Sequence, residues 1–126
     1  MDATTPPLHI LYIEDCLDDI YLLRGQLELA GLSIDLHTAS TWPELIVELR
    51  DTHRPWDCII VDVRVPGMEF EQVMSSVLAV PDVPVVVFSG TFPLYENLLN
   101  RLGTRRVSFR AKSAPGQLID WLRTLR

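Results

Sequence analysis

Five residues in this chain could do chemistry together: Glu14, Asp15, Asp62, Ser89 and Lys112. Each follows a short apolar run, in "LYIED", "IIVD", "VVVFS" and "FRAK". Three clustered carboxylates repel one another and hold an extra proton unless a cation neutralises them. No histidine stands at these run ends, so the donor set is oxygen only and suits a hard divalent ion. Mg²⁺, which keeps several waters and awaits a phosphate oxygen, fits best. A carboxylate beside Mg²⁺, a hydroxyl and an ammonium can accept a phosphoryl group. Asp62 is then the nucleophile and Lys112 offsets charge on the transferring oxygens. Lys112 is the only lysine of the chain, which favours a placed point charge over surface decoration.

Ordinary explanations exist for each residue alone. Asp often opens a turn before Pro-Gly, as Asp62 does ahead of Pro66-Gly67. Acids in a first helical turn suit the macrodipole, and for Asp18 and Asp19 that explanation is preferred. A lone Ser89 or Lys112 carries no information. The joint reading depends on whether the fold brings four run ends to one place.

Strand-like segments occupy Leu8–Ile13, Ser33–Thr38, Cys58–Val61, Val83–Phe88 and Val107–Ala111. Helical stretches lie between them. Asp19–Ala30 aligns Ile20, Leu23, Leu27 and Ala30 and stops at Gly31, with Gly25 as an internal weakness. Thr41 and Glu44 have capping-box spacing, with Pro43 in the first turn. Phe70, Val73, Met74 and Val77 mark a third helix, Leu94–Leu102 a fourth, and Leu118, Trp121, Leu122 and Leu125 a fifth. Five alternations imply an α/β sandwich with a parallel sheet covered on both faces. "LHILYI", "CIIV" and "VPVVVF" are apolar throughout, as central strands are, whereas "SIDLHT" and "VSFRA" alternate, as edge strands do. The doubly wound order 2-1-3-4-5 follows, with the ligand crevice at the carboxyl ends of the first and third strands.

The bulk properties agree. One domain accounts for 126 residues, and 48% hydrophobic with 22% charged residues is a globular balance. A net charge of −6 argues against direct nucleic-acid binding. Basic residues are uneven: residues 101–126 hold seven Arg or Lys against the single acid Asp120. Cys16 and Cys58 lack metal-site spacing and make no disulfide framework. No signal peptide or membrane span is visible, so a cytoplasmic location is expected, with no membrane partner. Residues 1–7 read as a loose tail.

With "LYIEDCLDD", "IIVDVRVPGMEF", "VVVFSGT" and "FRAK" in order, the chain resembles the receiver domain of two-component response regulators, chemotaxis-regulator-like, over residues 8–126. That resemblance implies a flavodoxin-like (βα)5 fold and a phosphoprotein switch. Asp62 would be the phosphoacceptor, charged by a histidine kinase or phosphotransfer protein. Glu14, Asp15, Asp62 and the backbone carbonyl of Arg64 would hold Mg²⁺. Ser89 and Lys112 would bind phosphoryl oxygens, and Phe109 would be the aromatic switch. The signal would leave through the fourth helix, fifth strand and fifth helix to a downstream protein or output domain, with a homodimer possible. Self-catalysed phosphorylation and dephosphorylation are implied, without turnover of a separate substrate. The chain reads as a stand-alone receiver or as a piece of a longer protein.

Three departures stand out. Ser113 follows Lys112 where the family commonly has proline, often after a cis bond, and a non-proline cis bond costs about 3 kcal/mol. Val65 replaces a longer residue before Pro66. Arg64 puts a guanidinium beside the acceptor, at a position thought to tune the lifetime of the phosphoryl group. The alternative reading is a phosphorylation-independent pseudo-receiver acting as a protein-binding module. A haloacid-dehalogenase-type phosphatase needs a second Asp two residues after the first, and Arg64 stands there. No glycine-rich loop follows the first strand, which removes Rossmann and P-loop sites.

Overall fold

The computed structural model describes residues 6–50, 55–90 and 106–125. Its elements are β1 (Leu8–Ile13), α1 (Leu17–Leu29), β2 (Ile34–Ala39), α2 (Trp42–Arg50), β3 (Cys58–Val61), α3 (Phe70–Leu78), β4 (Val85–Ser89), β5 (Val107–Ala111) and a C-terminal helix, α4 (Pro115–Arg123). That last helix is the fifth of the sequence reading, because the stretch Leu94–Leu102 lies outside the described residues.

All five strands are parallel, in the order β2-β1-β3-β4-β5. Successive strand residues point to opposite faces, and the core divides accordingly. Ile10, Tyr12, Cys58, Ile60, Val86 and Phe88 pack with Ile20, Leu23 and Leu27 of α1 and Leu118 and Leu122 of α4. Leu11, Ile13, Ile59, Val61, Val85 and Val87 pack with Leu45 of α2 and Phe70, Val73, Met74 and Val77 of α3. β1, β3 and β4 are almost wholly buried, while β5 is half-buried along its length. This is the pattern that separates central from edge strands.

Element ends differ from the sequence reading in ways that chemistry explains. α1 begins at Leu17 rather than Asp19, and ahead of it the Glu14 carboxylate accepts the backbone N–H groups of Asp15 and Cys16. Gly31 closes α1 at φ 78°, as expected. The Leu32 N–H reaches the Leu27 carbonyl and the Gly31 N–H that of Glu28, the two bonds of a Schellman end. At α2 the Glu44 N–H reaches Thr41 Oγ1 at 3.3 Å, but the Glu44 carboxylate takes both the N–H and the hydroxyl of Ser40, each at 2.8 Å, instead of returning to Thr41. Those bonds hold the Glu44 carboxyl below the usual carboxylate range. β4 starts after Pro84, whose missing N–H cannot extend the ladder. β2 is displaced by one residue, to Ile34–Ala39.

Two further features bear on the strand ends. Val65-Pro66-Gly67-Met68 forms a turn closed by the Met68 N–H on the Val65 carbonyl at 3.0 Å, with Gly67 at φ 79°. Proline and then a positive-φ glycine at the two central positions are what a type II turn requires. Val65 and Met68 are both buried, so the loop after β3 is anchored and the shorter Val65 is accommodated in the core. There is no cis peptide bond among the described residues, Lys112–Ser113 included.

Candidate functional site

The strand ladders deliver the site residues. The Asp62 N–H continues β3 onto the Ile13 carbonyl, and the Lys112 N–H continues β5 onto the Ser89 carbonyl. The Glu14 N–H binds the Ala39 carbonyl of β2. Glu14 and Asp62 thus stand side by side where the strand order reverses.

Lys112 Nζ lies at the centre. It donates to Glu14 Oε2 at 2.7 Å, Asp62 Oδ2 at 2.7 Å and Asp19 Oδ2 at 2.8 Å. Because β4 separates β5 from β3, the lysine stem crosses the end of β4 to reach these acids. Burial works against its charge, but hydrogen bonds to Asp19, Asp62 and Glu14 outweigh that and hold the ammonium protonated.

Asp62 uses its two oxygens differently. Oδ1 accepts the Arg64 N–H at 3.0 Å, the turn-forming bond of an Asp two residues upstream, and Oδ2 accepts from Lys112. The ordinary turn explanation and the chemical one therefore coexist in one side chain. Burial opposes its ionisation, yet the hydrogen bonds with Glu14, Lys112 and the Arg64 N–H prevail and keep its carboxyl below the usual range. Glu14 behaves in the opposite way. It is 1% exposed, and burial pushes its carboxyl up to about 7, with the hydrogen bond to Asp62 adding to the rise. Lys112 and the Cys16 N–H pull the other way and do not cancel it. The Tyr12 hydroxyl donates to Glu14 Oε2 at 3.4 Å, and burial drives that phenol above its ordinary range.

The structure brings together Glu14, Asp62 and Lys112 and adds Asp19, which sequence reasoning assigned to the helix dipole. One oxygen from each of Glu14, Asp19 and Asp62 falls within 4.8 Å of the others. Asp15 is exposed and is not part of that group, whose third carboxylate comes from the first turn of α1. A usable signal was present: Asp19 lies four residues before Leu23, on the edge of the face that α1 buries. Ser89 is buried at the end of β4 and Arg64 is exposed beside Asp62. Phe109 is half-buried on β5, against the α2/α3 side of the core. Cys16 is exposed and Cys58 is buried, where burial raises its thiol above the ordinary range. Oxygen ligands at this spacing, carrying more negative charge than one ammonium offsets, fit a hard divalent cation such as Mg²⁺.

No family model matches the chain, and no curated protein matches it in sequence. Solved structures do match its fold. The chemotaxis response regulator CheY4 of Vibrio cholerae aligns at 18% identity and a TM-score of 0.74, covering 96% of this chain and 100% of the other. The phosphorylated cyanobacterial phytochrome response regulator RcpA aligns at 21% identity and 0.73, covering 95% and 91%. A CheY-like receiver domain protein from Methanospirillum hungatei aligns at 14% identity and 0.72, covering 94% and 93%. Among the described residues no helix is long and apolar enough to cross a membrane. The chain has the fold of CheY-like response-regulator receiver domains.

Proposed function

We propose that this chain is a phosphorylation-activated switch of a two-component system and that Asp62 is its phosphoacceptor. The observation that carries the reading is the pair Asp62 Oδ2 and Lys112 Nζ at 2.7 Å, at the tip of a central strand beside Glu14. In the reaction Asp62 attacks the phosphorus of a phosphohistidine on a histidine kinase or phosphotransfer protein. A P–O bond forms to the carboxylate and the P–N bond breaks, its electron pair remaining on the imidazole nitrogen, which takes up a proton. The lowered pKa of the Asp62 carboxyl keeps it an anion ready to attack.

Glu14 and Asp62 are the side chains that would hold Mg²⁺, while the Asp19 oxygen of the same acidic group stays on Lys112 Nζ. Asp15 and the Arg64 carbonyl are the further ligands that the family resemblance suggests. Bound there, the ion supplies positive charge against the oxygens of the transferring group. Lys112 and the Ser89 hydroxyl take the phosphoryl oxygens, and Lys112 then exchanges its bond to Asp62 Oδ2 for one to the new group. Because the Lys112 N–H is bonded to the Ser89 carbonyl, movement at either residue is passed to β5, where Phe109 lies. The output face is β5 and the C-terminal helix, with the stretch Leu94–Leu102 that the sequence reading takes as a helix and that lies outside the described residues. It meets a downstream protein or output domain, in the cytoplasm.

The test is acetyl phosphate with Mg²⁺, read by intact mass. One phosphoryl group is expected on the wild-type chain and none on Asp62→Asn. Labelling that persists in Asp62→Asn removes Asp62 from the role, and an unlabelled wild type returns the chain to the pseudo-receiver reading.

A further inference from the structure

The three N–H donors of Lys112 all have carboxylate partners, and one of those partners is not required by phosphoryl transfer. Glu14 and Asp62 stand at strand ends, whereas Asp19 rises from the first turn of α1. An acid serving only the helix dipole stays in water, as its exposed neighbour Asp18 does. Asp19 is instead half-buried, 2.8 Å from the ammonium.

The reach of Lys112 explains what this contact does. Its flexible stem spans the end of β4, and a point charge on such a stem acts on a phosphoryl oxygen only when held. The other two tethers change during the cycle: Asp62 gives up an oxygen to phosphorus, and a divalent cation draws on Glu14. Glu14 is already committed elsewhere, with Oε1 holding two backbone N–H groups and Oε2 accepting from Tyr12 as well as Lys112. Asp19 is the acceptor that takes no part in the exchange. We propose that Asp19 is a positioning residue that keeps the Lys112 ammonium seated over Asp62 while its other partners change, an inference that rests on the phosphoacceptor reading of Asp62. Its negative charge also repels an arriving phosphoryl group, but the Asp19 side chain is 38% exposed and water screens that repulsion. A hydrogen bond at 2.8 Å acts locally and is the larger effect.

The sole lysine makes the test direct. With ¹³C-lysine labelling, the Lys112 Cε–Hε signal of wild type, Asp19→Ala and Asp19→Asn is compared, and each protein is titrated with beryllofluoride and Mg²⁺ as a stable phosphoryl mimic. Asp19→Ala moves the lysine signal toward that of free lysine and weakens mimic binding by about three- to tenfold, the worth of one hydrogen bond. Asp19→Asn keeps an oxygen acceptor without the charge and loses about twofold. An unchanged lysine signal in Asp19→Ala overturns the proposal. So does tighter mimic binding in both variants, which makes Asp19 a source of repulsion only. A wild type that takes neither the mimic nor a phosphoryl group overturns the phosphoacceptor reading, and the lysine signal then still decides whether Asp19 seats the ammonium.

Discussion

β1 carries a cluster of titratable side chains at each end, and the two clusters behave differently. At its start His9 Nδ1 lies 3.2 Å from Asp35 Oδ2, and His37 Nε2 lies 3.1 Å from Asp35 Oδ1. At its end Glu14 meets Asp62, Asp19 and Lys112. The first cluster bridges β1 to the edge strand β2, and its Asp35 is 46% exposed. A hydrogen bond from His37 keeps Asp35 below the usual carboxylate range, within easy reach of water. The second cluster lies between two central strands, where Glu14 is 1% and Asp62 10% exposed, so charges at those two acids are poorly screened and are balanced by placed groups. Equivalent chemistry becomes a structural contact at an edge and a site where the strand order reverses.

The largest effect that sharpens this contrast is expected from Lys112→Met. It leaves three acids without their cation and costs about 3–5 kcal/mol at pH 8 without divalent ions, as for any broken buried pair. Urea unfolding measures it, and a loss below about 1 kcal/mol puts the two clusters on the same footing.

Next comes the pH dependence of the unliganded chain. The Glu14 carboxyl is raised from 4.5 to about 7, so between those values the folded state holds a proton that the unfolded chain has released. Stability therefore falls as pH rises through this window, by on the order of 2 kcal/mol. Asp62 works the other way and at lower pH, since its depressed carboxyl contributes stability that is lost on acidification. Glu14→Gln flattens the window between pH 5 and 7. A wild-type profile already flat there, measured in urea with a chelator present, contradicts the raised Glu14.

Smaller still is Asp35→Ala, with a cost under about 1 kcal/mol that shrinks in high salt. A salt-insensitive loss above about 2 kcal/mol makes the edge cluster a dry site after all. The smallest change in stability, near zero, is expected from Arg64→Ala, because the contact to Asp62 comes from the backbone N–H and the side chain is exposed. With Asp62 as the proposed phosphoacceptor, the expected effect of Arg64→Ala is a severalfold shift in the lifetime of a phosphoryl group there. Equal lifetimes make the guanidinium a bystander.

Much of this was legible in the residues. Uninterrupted apolar runs at β1, β3 and β4 mark strands buried on both faces, and alternation in β2 and β5 marks edges. Together they fix the sheet order, and the order brings Glu14, Asp62 and Lys112 to one place. Pro66-Gly67 announces a turn whose type follows from backbone chemistry. Less legible were exchanges between adjacent polar residues, such as Glu44 serving Ser40 rather than Thr41. A side chain chooses between nearby donors by geometry of a few tenths of an ångström, which composition and spacing do not contain.

By itself, then, the sequence determined the sheet, the position of the crevice and the acid at its centre, because hydrophobic periodicity and strand-end position are local properties of the chain. Tertiary structure alone decided that Asp19 faces the ammonium, and that Glu14 and Asp62 shift in opposite directions. Side-chain direction depends on where α1 starts after β1, and ionisation depends on who shares the same dry space. Both are settled only when elements distant in the chain are packed together.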